Sequence, residues 1–253
     1  MIELTDGWVG EVAFLAGLLV LTALTLGLQR WARVRLGWTP VTAILRATLQ
    51  LAVVAALLSG VLATGWTVAL FVLLMLTTAS LTSGGRISEL YRGRQAAVVA
   101  VVVGALVTIV LVFGLHLMDW TVRYLVAVAG IVIGNAMSAT TLAGRQFRTL
   151  AGERSDEIQG WLALGATPRQ AHDDIGRHAV HEMLIPNLDQ TRSTGLVTLP
   201  GAFVGAIMGG ASPLEAAKFQ LVVLAGIALT MTIAGIIVSR FASGSPTVPG
   251  ARA

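Results

Sequence analysis

The chain has 253 residues, of which 55% are hydrophobic and only 12% charged, and its mean hydropathy is +0.81. That is more apolar surface than a soluble domain can bury, and it places the chain in a bilayer. The basic excess, 17 Lys and Arg against 13 Asp and Glu, is nearly all arginine gathered between apolar runs, which reads as membrane topology with no nucleic-acid module beside it. With no cysteine, disulfides, cysteine-ligated iron–sulfur clusters and thiolate metal sites are excluded.

Seven apolar runs, each near the roughly 20 residues that cross a hydrocarbon core, predict an all-α polytopic membrane protein. Glu3 and Asp6 precede the first run where a signal peptide would carry positive charge, so the first span is expected to be retained. Span one, about Trp8–Leu28, meets Arg30, Arg33 and Arg35. That loop is cytoplasmic by the positive-inside rule, which puts the N-terminus outside. Thr39-Pro40 opens span two, to about Leu62, with Arg46 and Gln50 at i and i+4 on one face. This face is a candidate inner vestibule, and snorkelling of Arg46 to the interface is the plainer reading. Span three, Trp66 to about Leu81, returns to Arg86, Arg92 and Arg94. Span four, Gln95 to about Leu117, is valine-rich and nearly free of polar residues, and reads as lipid-facing. Span five, Thr121 to about Ala143, holds a small-residue ridge of Gly130, Gly134 and Ser138 with Asn135 and Met137 beside it. An asparagine inside a span needs a partner or water.

Residues 144–188 form the long polar stretch and, with Arg145, Arg148, Arg154, Arg169 and Arg177, are expected in the cytoplasm. Ser155 is placed to cap a short helix begun by Asp156 and Glu157, in which Ile158, Trp161, Leu162 and Leu164 fall mostly on one face, and Gly165 ends it. Thr167-Pro168-Arg169-Gln170 reads as a capping box for another helix. His172, His178 and His181, with Asp173, Asp174 and Glu182, are the densest group of potential ligands. A solvated polar helix is the plainer reading and a regulatory metal site the alternative. Span six is expected from about Asp189. It carries Pro200 just before Gly201, Gly205 and Gly209, a side-chain-free ridge whose plainer reading is helix packing alone, while the proline–glycine break is of the kind found where transporters bind and gate cargo. Gly210-Ala211 stops it and the Ser212–Glu215 capping box starts span seven, Pro213 to about Val238. Residues 1–241 are expected as a single transmembrane domain and 242–253 as a disordered tail. Of the 17 basic residues, fourteen fall in inside segments, Arg123 and Lys218 outside and Arg46 within a span.

Gly195-Leu196-Val197, Leu199-Pro200-Gly201, Gly205 and the run Gly210–Ala216 with Gln220 resemble the signature of the FetB-type permeases. These form the iron-export half of a bacterial ABC transporter, and their plant relatives are linked to aluminium tolerance. Arg46 and Gln50 with Leu51 and Gly60 are similar to that family's second helix, and Gly134–Ala139 resembles its Gly-Asn-x-Met-Asn pattern. The chain departs from the pattern at Ser138, where a second asparagine is usual, and at Phe203-Val204, where Met-Thr is usual. The Glu157–Gly165 helix, with Leu162–Ala166, is similar to an ABC coupling helix. The resemblance implies a permease in the bacterial inner membrane, working as a homodimer with two copies of a separate ATPase that binds ATP and Mg. No phosphate-binding GxxxxGK[ST] loop is present, so this chain is expected to be no enzyme by itself and to bind no cofactor. The implied path is lined by Arg46, Gln50, Asn135, Met137, Ser138 and Met208, with a metal cation or small metal complex as cargo. The alternatives are an ATPase-coupled membrane partner that relays motion without transport, and a secondary transporter. The second is disfavoured because intramembrane acidic residues are nearly absent from the sequence.

Overall fold

A computed structural model describes residues 8–61 and 65–247. Glu3, Asp6, Leu62, Arg252 and the last residues of the tail lie outside the described residues, as does the side chain environment of Gly60. The described residues form nine helices and no named strand: α1 Trp8–Trp31, α2 Thr39–Val61, α3 Gly65–Arg86, α4 Gly93–Gly114, α5 Val122–Glu153, α6 Ser155–Ala163, α7 Pro168–Ser193, α8 Gly201–Met208 and α9 Pro213–Ala242. Among them six, α1 to α5 and α9, are long and apolar enough to cross a membrane. The chain is thus a polytopic helical membrane protein. It divides into two compact units, one holding α1 and α2 and the other α3 to α9.

In the first unit α1 and α2 bury almost none of their apolar side chains. Lipid is as apolar as leucine, so nothing drives such helices to bury one another. Their connection turns on Gly37, at φ 55°, and the Arg30 guanidinium lies 5.2 Å from the centre of the Trp38 ring.

In the second unit the helix directions follow from specific neighbours. Met75 reaches Gly130 and Ile87 reaches Gly144, so α3 and α5 run parallel. Tyr124 meets Phe219 and Val132 meets Gly226, so α5 and α9 are parallel as well. Gly104 and Thr108 abut Thr230 and Gly226 in that order, so α4 runs opposite to α9. Gly176 lies against Ser239 and Ser243, and Met183 against Gly235, so α7 also runs opposite to α9. One apolar cluster, around Ile87, Phe147, Ile158, Ile175 and Val238, fills the arginine-rich end, and a second, around Ile109, Phe113, Val132 and Val223, fills the other.

Five sequence expectations change. Span four is buried along one face, where Ala97, Ala100, Gly104, Ala105 and Thr108 let α3, α5 and α9 approach closely, and only its other face, with Val98, Val103 and Val110, is exposed. Lipid and a membrane-protein interior are both apolar, so its valines do not distinguish them. The helix of span five continues ten residues past Ala143, to Glu153, because arginine and glutamine end an apolar run without ending a helix. Ser155 is the first residue of α6, whose N-cap is Arg154 without a side-chain cap bond. Residues 243–247, expected as tail, are placed, with Ser243 and Ser245 buried.

The sixth span changes most. Asp189 belongs to α7, which runs unbroken through Pro186 to Ser193, and α8 has only eight residues. Because α5 and α9 are parallel, the chain between them must return to the opposite end. It does so with the C-terminal half of α7, a loop and α8, and not with one continuous helix. The two capping boxes are present as expected, Thr167 with Gln170 and Ser212 with Glu215.

Candidate functional site

Two regions carry polar or partnerless side chains where the fold does not need them. The first is the end of α5 and the helix that follows. The Ile158 side chain is fully buried, packed with Phe147 and Ile175, and Leu162 lies partly against the same cluster. Trp161 of the same short helix and Leu164, its C-cap, are 51% and 83% exposed. Gly165, at φ 89°, ends the helix, and its left-handed backbone turns the chain into α7. Beside it opens a groove of about 600 Å³ lined by Trp161, Leu164, Gly165, Arg169 and Asp173.

Charged residues fix α6 against its neighbours. Arg154 grips Glu157 with two bonds, Nε to Oε2 at 2.7 Å and Nη2 to Oε1 at 3.0 Å, and gives Nη1 to Asp174 Oδ2 at 2.7 Å. Asp174 also meets Arg177 at 3.4 Å and His178 at 3.3 Å. The hydrogen bond from Arg154, with smaller help from His178 and Arg177, holds the Asp174 carboxyl below its usual range. Single exposed ion pairs are worth little, but this set joins the end of α5, α6 and α7 in one network. Arg148 is bonded to Glu89 of the α3–α4 turn. Arg154 as a hub is not evident in the sequence beforehand; its signal is the Arg-x-x-Glu spacing across the α5–α6 junction.

The histidines do not act together. His172 is fully buried, stacked 5.8 Å from Phe147, with Nδ1 2.8 Å from the Pro168 carbonyl. His178 and His181 are held by Asp174 and Glu182. Among the described residues no group of three or more ligand side chains converges.

The second region is the middle of the membrane-spanning layer. Gly134, Asn135 and Ser138 form a half-open strip on α5, on the side away from its buried face, with Met137 at the flank partly packed against the core. Asn135 donates Nδ2 to the Ile131 carbonyl at 2.9 Å, which leaves its oxygen free to face outward. Arg46 and Gln50 are exposed on α2 in the first unit. Met208, 85% exposed, sits on α8, which packs on α9 and makes no direct contact with α5. Pro200 precedes α8, and no atom of its own unit lies within 4 Å of where a Cβ would stand on Gly201 or Gly205, while Gly209 meets only its own helix.

The C-terminal half of α7 is what the sequence reading misplaced. Met183 lies level with Gly235, seven residues from the end of α9, and Arg192 is nine residues further along α7. At 1.5 Å per residue that is about 13 Å past Met183 and about 24 Å from the arginine-rich end, near the middle of α9, which is about 45 Å long. Asp189 and Arg192, on the C-terminal turns of α7, are joined at 3.1 Å with side chains 60% and 79% exposed.

The profile of the uncharacterised protein family UPF0014 matches residues 12–245. The membrane protein STAR2 of Oryza sativa is 36% identical over 233 residues, covering 88% of this chain and 81% of the relative. Protein ALUMINUM SENSITIVE 3 of Arabidopsis thaliana is 36% identical over 194 residues, 76% and 71% of the two chains. The probable iron export permease protein FetB of Escherichia coli is 32% identical over 139 residues, 55% and 54% of the two. No solved structure matches the chain significantly. With a profile that spans nearly its whole length and relatives at this identity, the chain belongs to the UPF0014 family of membrane proteins.

Proposed function

We propose that this chain is the permease subunit of an ABC transporter that exports a metal cation or small metal complex, driven by ATP that a separate ATPase binds with Mg and hydrolyses. The observation that carries the reading is α6. It is fastened to the membrane helices by Ile158 and the Arg154 network, yet it presents Trp161 and Leu164 to solvent beside a groove. A surface helix anchored on one side and apolar on the other fits a docking element for a protein partner. Two permease copies and two ATPases are needed for paired nucleotide sites, so the working form is a homodimer.

Orientation follows from charge. Arg86, Arg92, Arg94, Arg145, Arg148, Arg154 and Arg240 all gather at one end of the second unit, which supports a cytoplasmic placement of that end and of the C-terminus, an outer N-terminus, and a home in the bacterial inner membrane. Closure of the ATPase dimer would move α6. The rigid network at Arg154 would pass that motion to α5 and α7, the helices that carry Asn135, Met137, Ser138 and the broken crossing. Amide, hydroxyl and thioether groups are weak ligands, suited to a cation that must also leave.

The test is extraction from the native membrane in mild detergent. A stoichiometric ATPase should copurify and be lost in Trp161→Glu. A chain that emerges alone even after crosslinking sinks the ABC reading and favours a secondary carrier.

A further inference from the structure

A second groove, of about 490 Å³, lies between the first half of α7 and the end of α9, at the arginine-rich end of the second unit. It adjoins the groove beside Trp161, with which it shares Arg169 and Asp173. One stripe of each helix walls it, from Arg169 to Val180 on α7 and from Ile236 to Ser243 on α9. The helices are antiparallel, with Gly176 against Ser239 and Ser243 and Gly235 against Val180, so the two stripes match end to end. Arginines and serines meet at one end of the groove. Val180, half-buried, and Ile236, 46% exposed, form the other, toward the middle of α9.

The polar end is positive and short of partners. Its three arginines face a single aspartate, Asp173. Arg177 is tied to that aspartate at 2.8 Å and to Asp174 at 3.4 Å, whereas Arg169 and Arg240 form no ion pair with any described residue. The Ser239 and Ser243 hydroxyls stand over Gly176, where a Cβ would collide with Ser239 Oγ. Neither hydroxyl is bonded to another described residue, although Ser243 is only 6% exposed. Guanidinium forks beside hydroxyl donors suit the oxygens of a phosphate. A soluble anion has no use for the apolar end, which continues along the exposed side of α9 through Ile236 and Leu229. A basic pocket between membrane helices that opens onto such a surface fits an anionic lipid headgroup.

We propose that this groove holds an anionic phospholipid of the adjacent leaflet. Arg240 and Arg169, with the Ser239 and Ser243 hydroxyls, bind its phosphate, and its acyl chains run along Val180 and Ile236. The lipid supplies the negative charge that the two arginines lack and joins α7 to α9.

The full-length protein, purified in a mild neutral detergent, is given equal amounts of phosphatidylglycerol and phosphatidylcholine, and the retained lipid is counted by native mass spectrometry. The second lipid carries the same phosphate with a quaternary ammonium that the arginines repel. Phosphatidylglycerol should be retained in about tenfold excess, the size expected of one or two charge-assisted hydrogen bonds. The double variant Arg169→Gln, Arg240→Gln should bring the excess to near parity. Ser239→Ala, which deletes only a hydroxyl, should reduce it in part and keeps the test valid where the double variant fails to fold. Arg145→Gln, exposed at the same end but outside the groove, should leave it unchanged. An equal loss in Arg145→Gln would overturn the site, because the arginine-rich end would then attract anionic lipid without a groove. An undiminished excess in both Ser239→Ala and the double variant would overturn it as well. Displacement of the retained lipid by millimolar inorganic phosphate would overturn the lipid assignment and make the groove a site for a soluble anion. The site depends on α9 crossing the membrane and not on an ATPase, so loss of that partner in the copurification test would leave the lipid count interpretable.

Discussion

Ile158→Ala separates the anchor of α6 from its exposed face. The side chain is 0% exposed and sits between Phe147 of α5 and Ile175 of α7. Truncation removes about three buried carbons at about 0.8 kcal/mol each, or roughly 2.4 kcal/mol before any cavity term. That lies at the low end of the range of about 2–5 kcal/mol for such substitutions. The helix has only nine residues, so the loss should appear as local opening. Amide hydrogen exchange across 155–163 should accelerate about fiftyfold, at about 1.4 kcal/mol per decade, while α4 and α9 keep their protection. Trp161→Ala, half exposed, should change exchange little yet weaken retention of the ATPase. Unchanged exchange in Ile158→Ala would refute the anchoring argument, and equal losses of protection in both variants would refute the division between an inner and an outer face.

Other outcomes follow from the same geometry. A Cβ on Gly144 would stand 2.5 Å from Ile87 Cγ2, a branched side chain without room to yield, whereas on Gly84 it would meet Ala97 at an ordinary 3.6 Å. Gly144→Ala should therefore lower thermal stability in detergent by about 1–3 kcal/mol and Gly84→Ala hardly at all. Thr230 donates to Thr108 at 2.6 Å inside the bundle; a Thr108→Val, Thr230→Val double-mutant cycle should give a coupling of about 0.6 kcal/mol, the size usual for membrane interiors. The Asp174 carboxyl is held below its ordinary value by Arg154. Its contribution is full above the unfolded carboxylate pKa, about 3.9, and is lost as pH falls through the lower folded value. Asp174→Asn should thus increase hydrogen exchange in α6 at neutral pH and make no difference at pH values below that titration. Asn135→Ala and Met137→Ala should alter the rate or ion selectivity of transport in vesicles, and unchanged values for both would remove the α5 strip from the pathway.

Much of this protein was readable from composition and local chemistry. Apolar runs must be helices in a bilayer because no other structure satisfies the backbone there, and the arginine clusters mark which ends share a side. The capping boxes at Thr167 and Ser212 and the stop at Gly165 were legible because caps are decided within four residues. What the sequence could not decide was which apolar face meets protein and which meets lipid. Both environments accept valine equally, and only the arrangement of α3, α5 and α9 around the small residues of α4 decided which face of that helix is buried. Depth was likewise undetermined for α7. A polar run after a cytoplasmic segment looks like more cytoplasm, and only the antiparallel docking of Gly176 and Met183 along α9 shows that α7 turns back beside the membrane helices. Local signals fix where helices start and stop, whereas the level at which a charge lies in the membrane is set by long-range packing.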